Sequence, residues 1–207
     1  MGKPKTIDNI LTPDEIKRLK ESAISLRERL IVYTLLNTGM RNGEFVHLSK
    51  DWIDFKRRQI RIPQEIKCDC RRCSKPYINK KSGKITRPAG VWRPKTPQAM
   101  RIIPLNPITF KLLKDFFEAF DSIKAMIPST GSVNYHIKRI AGRAKIPHPV
   151  FAQSLRGTFA STLAMQQFTS PEIKEIMGWK SIVPAEKYIK LFSPHIKKVF
   201  DQKWKGI

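Results

Sequence analysis

The chain has 207 residues, a length suited to one domain or to one domain with an insertion, and its 41% hydrophobic residues are enough for an ordinary core. No apolar run approaches the ~20 residues of a membrane span, and Met1-Gly2-Lys3-Pro4-Lys5 lacks the apolar segment of a secretory signal, so an intracellular protein is expected. Lys and Arg number 40 against 17 Asp and Glu, a formal charge of +23. That excess points to a polyanionic partner, because each phosphate neutralised by Lys or Arg releases a counterion. Charge alone separates neither DNA from RNA nor a nucleic-acid surface from a merely solvated one.

Along the chain, Thr12-Pro13-Asp14-Glu15 opens a first helix, with Thr12 as cap, Pro13 in the first turn and Glu15 completing a capping box. A second helix over about Leu26 to Thr38 carries Leu30, Ile31, Tyr33, Leu35 and Leu36 and is expected in the core. Gly39 breaks it, which places Arg41 at the start of a helix over about Arg41 to Leu48, a cation beside the donor-rich backbone of a helix start. Strands are predicted at Gln59–Ile62 and Met100–Pro104. The connection between them, Gln64 to Pro97, exceeds an ordinary hairpin loop, and from Lys67 to Lys95 it holds ten Lys or Arg and one acidic residue. It reads as a partly ordered insertion in a β-hairpin. Helices follow over about Pro107–Phe120, Ser132–Ala144, Gln153–Gln166, Pro171–Gly178, Pro184–Leu191 and Pro194–Trp204, four of these six having proline at or near the first turn. The expected class is α+β, mostly helical, with a small antiparallel sheet.

Five short neighbourhoods stand out in order: Leu36-Asn37-Thr38-Gly39-Met40-Arg41-Asn42-Gly43-Glu44; Lys95-Thr96 ahead of Arg101-Ile102-Ile103-Pro104-Leu105; Ser154-Leu155-Arg156-Gly157-Thr158-Phe159-Ala160; Met177-Gly178-Trp179; and Ala185-Glu186-Lys187-Tyr188, with Tyr188 nine residues beyond Trp179. Each is weak alone. As an ordered set they closely resemble the catalytic domain of the tyrosine recombinases, the phage integrase family, and the Met-Gly-Trp form is similar to archaeal integrases. The resemblance runs from about Leu11 to about Phe200. It implies one catalytic domain over residues 1–207, with the basic cysteine-containing insertion at about 64–97 and a C-terminal helix at about 194–204.

The resemblance also implies a chemistry. A tyrosine phenolate stores the energy of a phosphodiester as a phosphotyrosine and leaves a 5′-hydroxyl free to reverse the step. Tyr188 matches the nucleophile; Tyr33 sits on an apolar helix, Tyr77 in the insertion and Tyr135 on a basic helix. Arg41 and Arg156 match the pair that clamps the non-bridging oxygens, although each also suits an ordinary arginine of a folded surface. Lys95 matches the acid that protonates the leaving oxygen, among neighbouring cations Lys84, Arg87, Arg93 and Arg101. Trp179 stands where the family has His or Trp and has an indole N–H to donate; holding the tyrosine segment is its alternative role. Glu44 matches a recurrent acidic position. No cofactor is required for catalysis, and the implied partners are double-stranded DNA and further copies of the chain in a tetrameric synapse, with no membrane. A mobile-element or viral setting would fit.

Two departures qualify this expectation. Gln153-Ser154-Leu155-Arg156 stands in place of His-x-x-Arg, and glutamine donates to phosphate but takes no proton from tyrosine near neutral pH, which leaves the base to water or to the arginines' field; His148, in Pro147-His148-Pro149, is a conceivable substitute. The N-terminal helical domain that usually closes a clamp around DNA is not evident, because the pattern begins almost at once. Cys68, Cys70 and Cys73 form a third peculiarity: three thiolates for a structural zinc, with no fourth cysteine or histidine nearby and His47 in another element, or else three reduced thiols in a basic loop. The rival functions are an inactive integrase-derived DNA-binding protein, a type IB topoisomerase-like enzyme and, least well, a metal-stabilised RNA-binding module.

Overall fold

The computed structural model describes residues 6–79, 83–94, 96–192, 200, 201 and 204. Lys95 lies outside the described residues, and so does most of the helix expected at 194–204. A short 3-10 helix, Thr6–Asn9, leads into α1 (Pro13–Glu21), where the Thr12 hydroxyl accepts from Glu15 N–H and the Glu15 carboxylate accepts from Thr12 N–H, as the sequence predicts. Ser25 and Glu28 repeat the device at α2 (Leu26–Thr38), whose Leu30, Ile31, Val32, Thr34, Leu35 and Leu36 are all buried. A helix apolar on so many sides belongs inside. After the left-handed Gly39, α3 (Asn42–Phe45) is a single turn with Arg41 as its N-cap. It is shorter than expected because His47 and Leu48 bond back three residues, to Glu44 and Phe45, and tighten the chain out of α-geometry.

β1 (Ile53–Asp54) and β2 (Gln59–Arg61) come next. The long connection is more ordered than its composition suggests: β3 (Ile66–Lys67) pairs with β6 (Val91–Trp92), and β4 (Tyr77–Ile78) pairs with β5 (Ile85–Arg87), all antiparallel. β7 (Ile102–Pro104) then returns to β2 in the register Gln59↔Pro104, Ile60↔Ile103, Arg61↔Ile102, giving a sheet of order β1-β2-β7. The two predicted strands do flank the insertion. β1 and the strands within the insertion are two or three residues each, too short for a period-2 signal.

The remaining helices are α4 (Pro107–Ala119), α5 (Thr130–Arg143), α6 (Ala152–Met165), α7 (Ser170–Met177) and α8 (Val183–Phe192), each within two residues of its predicted bounds. α2 is the hub, packed by α1, α4, α5 and α6, while α8 lies on α6 and α7. Two apolar clusters result. The larger joins α2 to the sheet, α4 and α5 and reaches Cys68, Cys73 and Trp92 of the insertion. The smaller holds Ala160, Leu163, Ile173, Met177, Ala185 and Tyr188, between α6, α7 and α8. No helix among the described residues is long and apolar enough to cross a membrane.

Candidate active site

The turn between α2 and α3 sets the first part of the site. Gly39 has φ +57°, and a Cβ there would lie 2.5 Å from Phe159 Cδ1 and 2.9 Å from Met177 Sδ. Only glycine lets this turn sit against α6 and α7. Two residues later the Arg41 guanidinium donates to Glu44 Oε1 at 2.8 Å and to the Gly178 carbonyl at 3.0 Å, and its side chain remains 23% exposed. Glu44 is 2% exposed. Burial opposes its charge, but Arg101, Arg41 and Arg156 overcome this and hold the carboxyl below the ordinary glutamate value.

Arg101 is the residue that sequence reasoning passed over. Its Nη1 and Nη2 donate to Glu44 Oε1 and Oε2 at 3.2 and 3.0 Å, its Nη1 also to Ala99 O at 2.8 Å, and its Nε to Ile176 O at 2.8 Å. With so many donors satisfied internally it positions Glu44. A signal was present: alternation through Arg101, Ile103 and Leu105 puts all three on the buried face of the strand, while Met100 and Ile102 are exposed. An arginine in the inward phase needs a buried acceptor.

Arg156, on α6, is 2% exposed and donates to the carbonyls of Gly39 and Met177. Burial and the cations Arg41 and Arg101 push its pKa down to about 9, which leaves it charged at neutral pH. The Gly178 carbonyl that meets Arg41 is presented by a left-handed C-cap at the end of α7, where a Cβ would lie 2.8 Å from Arg101 Cδ. Trp179 follows, half-buried, and its ring stacks on that of Tyr188 with centroids 5.7 Å apart and planes 14° apart. Tyr188 is itself 8% exposed. Burial raises its phenol above the ordinary value, and Arg156 acts in the opposite sense.

Arg41, Arg101 and Arg156 thus act together on Glu44, and Arg156 also acts on Tyr188. Three guanidiniums face a single carboxylate, an excess of two positive charges among the described residues. The arrangement suits a phosphodiester, a monoanion that gains a second negative charge as a nucleophile adds to phosphorus. Gln153 is exposed at the start of α6, one turn before Arg156. His148 instead pairs with Glu15 of α1, Nε2 to Oε1 3.3 Å. The three cysteines, all free, converge with His47, which the fold brings to them from the far side of the β1–β2 hairpin.

The sequence matches the family model described as "Phage integrase family" over residues 9–195, and the chain belongs to that family. It is 25% identical over 224 residues to the tyrosine recombinase XerA of Pyrococcus furiosus, covering 96% of this chain and 63% of that protein. The chain thus spans less than two thirds of the length of that relative. Among solved structures, the Tn1549 transposon integrase in complex with transposon right end DNA superposes with TM-score 0.68 at 15% identity, over 99% of this chain and 68% of that one. The catalytic domain of bacteriophage HP1 integrase superposes with TM-score 0.59 at 20% identity, over 94% of each chain.

Proposed function

We propose that residues 1–207 act as the catalytic domain of a site-specific DNA recombinase that cuts and rejoins DNA through a 3′-phosphotyrosyl intermediate. The single observation that carries this reading is the convergence of Arg41, Arg101 and Arg156 on one carboxylate with the Tyr188 phenol in the same field. Arg41 and Arg156 hold the non-bridging oxygens of the scissile phosphate, and Arg101 and Glu44 hold Arg41. Tyr188 Oη attacks phosphorus in line, its proton passing to solvent, while the bond to the 5′-oxygen breaks and Lys95 protonates that oxygen. Reversal by a 5′-hydroxyl from the partner strand completes exchange. Trp179 keeps the tyrosine ring in place and Gln153 donates to the phosphate. The catalytic step uses no cofactor.

Tyr188 packs in the smaller apolar cluster, where burial favours the neutral phenol. The partner is double-stranded DNA, since the integrase neighbour whose fold this chain shares is described in complex with transposon end DNA, and the +23 charge suits a duplex. Two strand exchanges require several protomers, so a tetrameric synapse on paired sites is the expected working form, at the intracellular location of its substrate. The Met-Gly-Trp motif and the XerA similarity favour an archaeal setting.

The test is strand cleavage on supercoiled plasmid without added divalent cation, wild type beside Tyr188→Phe. Wild type is expected to leave protein covalently attached to a 3′ end on a denaturing gel, and Tyr188→Phe to bind DNA equally and leave none. A wild-type protein that binds DNA yet makes no adduct, even with Gln153→His, would overturn the recombinase reading in favour of a DNA-binding protein. An adduct that survives in Tyr188→Phe would overturn the assignment of the nucleophile.

A further inference from the structure

We propose that His47, Cys68, Cys70 and Cys73 form a closed tetrahedral zinc site that pins the basic insertion to the turn carrying Arg41 and Glu44. The four ligand atoms lie within 4.8 Å of one another, and His47 Nε2 stands 3.6 Å from Cys70 Sγ and 3.5 Å from Cys73 Sγ. Zinc bonds of about 2.3 Å to sulfur and 2.0–2.1 Å to nitrogen set tetrahedral ligand atoms roughly 3.6–3.8 Å apart. Three sulfurs and one imidazole are a donor set for a borderline-soft divalent ion.

The surroundings fit a ligand cage better than a chance meeting of thiols. His47 Nδ1 lies 2.7 Å from the Gly43 carbonyl, which assigns the proton to Nδ1 and turns the Nε2 lone pair toward the sulfurs. The Cys73 N–H donates to the Cys70 carbonyl at 2.8 Å, closing the turn that brings the two sulfurs to one side. Cys68 and Cys73 are buried and Cys70 half-buried, so the three sulfurs meet in a largely closed place. Lys124 Nζ is 2.8 Å from Cys68 Sγ, which balances the net single negative charge of three thiolates on a divalent ion.

The insertion needs such a staple. Its ladders are two or three residues long, and ladders of that size are not stable alone. Tyr77, Ile78 and Ile85 are exposed, whereas Cys68, Cys73 and Trp92 are buried. Trp92 stacks on the His47 ring with centroids 5.2 Å apart. Arg87 ties the cysteine turn to β6 by donating to the carbonyls of Arg72, Cys73, Lys75 and Val91. His47 follows Glu44 by three residues, so the ion would join the insertion directly to the arginine–carboxylate cluster.

The site is tested without DNA, so its failure and that of the recombinase reading are separate events. The full chain, stripped of metal under reducing conditions, is titrated with Co2+ and then Zn2+. A single equivalent of Co2+ is expected to give thiolate-to-cobalt charge-transfer bands and the intense visible absorption of a tetrahedral ion, both abolished by Zn2+, and Zn2+ is expected to raise Tm. His47→Ala and Cys70→Ser should each lose more than the roughly 10–100-fold in Co2+ affinity that removal of an outer partner costs, while His47→Cys retains a tetrahedral spectrum. Wild-type protein that gives only the weak spectrum of hexahydrated Co2+ and no Tm shift with Zn2+ overturns the proposal. So does undiminished binding by His47→Ala and Cys70→Ser, each checked for fold by circular dichroism.

Discussion

Glu44 is the residue on which the candidate site balances. It accepts from Arg41 and Arg101 and neutralises one of the three charges that meet there. Glu44→Gln leaves Arg101, whose side chain is 2% exposed, without its anion, and removing one partner of a buried pair costs about 3–5 kcal/mol. Urea unfolding is expected to read that loss. Because the folded carboxylate is harder to protonate than the unfolded one, its stabilisation is present above about pH 4.3, the unfolded value. It is lost as pH falls through the lower folded value. In Glu44→Gln this part of the acid transition should be absent. Tyr188 carries the opposite shift, so cleavage by the wild type is expected to accelerate with pH toward the phenol's range. Gln153→His restores a base at the family's position and should raise the neutral-pH cleavage rate by roughly 100-fold or more, flattening the profile. An unchanged single-turnover rate would show that position 153 does not reach the phenol.

At the scale of elements, the site is made by helix ends. The α2 C-cap at Gly39 and the α7 C-cap at Gly178 turn their carbonyls, with that of Met177, onto Arg156 and Arg41. Both glycines are left-handed and both are closely overlaid by neighbouring side chains. Gly39→Ala combines a left-handed penalty of about 1–2 kcal/mol with overpacking against Phe159 of similar size or larger. A destabilisation of about 2–4 kcal/mol is expected from thermal or urea unfolding. Gly43→Ala is the contrast, since nothing lies within 4 Å of its added Cβ and a helical alanine gains roughly 0.5–1 kcal/mol over glycine. If the two substitutions cost the same, the overlay at Gly39 is not what requires glycine.

At the scale of the whole molecule, +23 over 207 residues would make the proposed association with DNA a counterion-release reaction. If six to ten phosphates are contacted, affinity for an arbitrary duplex should fall about 10³–10⁵-fold between 50 and 200 mM salt. Fluorescence anisotropy on a random duplex measures this slope, and a flat response would show that the basic surface does not face DNA. The helical frame was legible in advance because its signals are local. Thr12 with Glu15, the apolar run of α2 and the prolines opening α4 and α7 each act within one or two turns. The strands of the insertion were not, because pairs such as Ile66↔Trp92 are two-residue ladders closed over a long loop.

The sequence by itself determined the helices and the positive charge, which rest on local periodicity and on composition, and the order of Arg41, Arg156, Trp179 and Tyr188, which rests on family resemblance. Only the tertiary structure decided which groups meet. It drew Arg101 inward to Glu44, laid Trp179 on Tyr188 and set His47 against three cysteines more than twenty residues away. The physical reason is common to all three. A buried charge, ring or sulfur takes whichever partner the packed core delivers, and sequence separation places no limit on that choice.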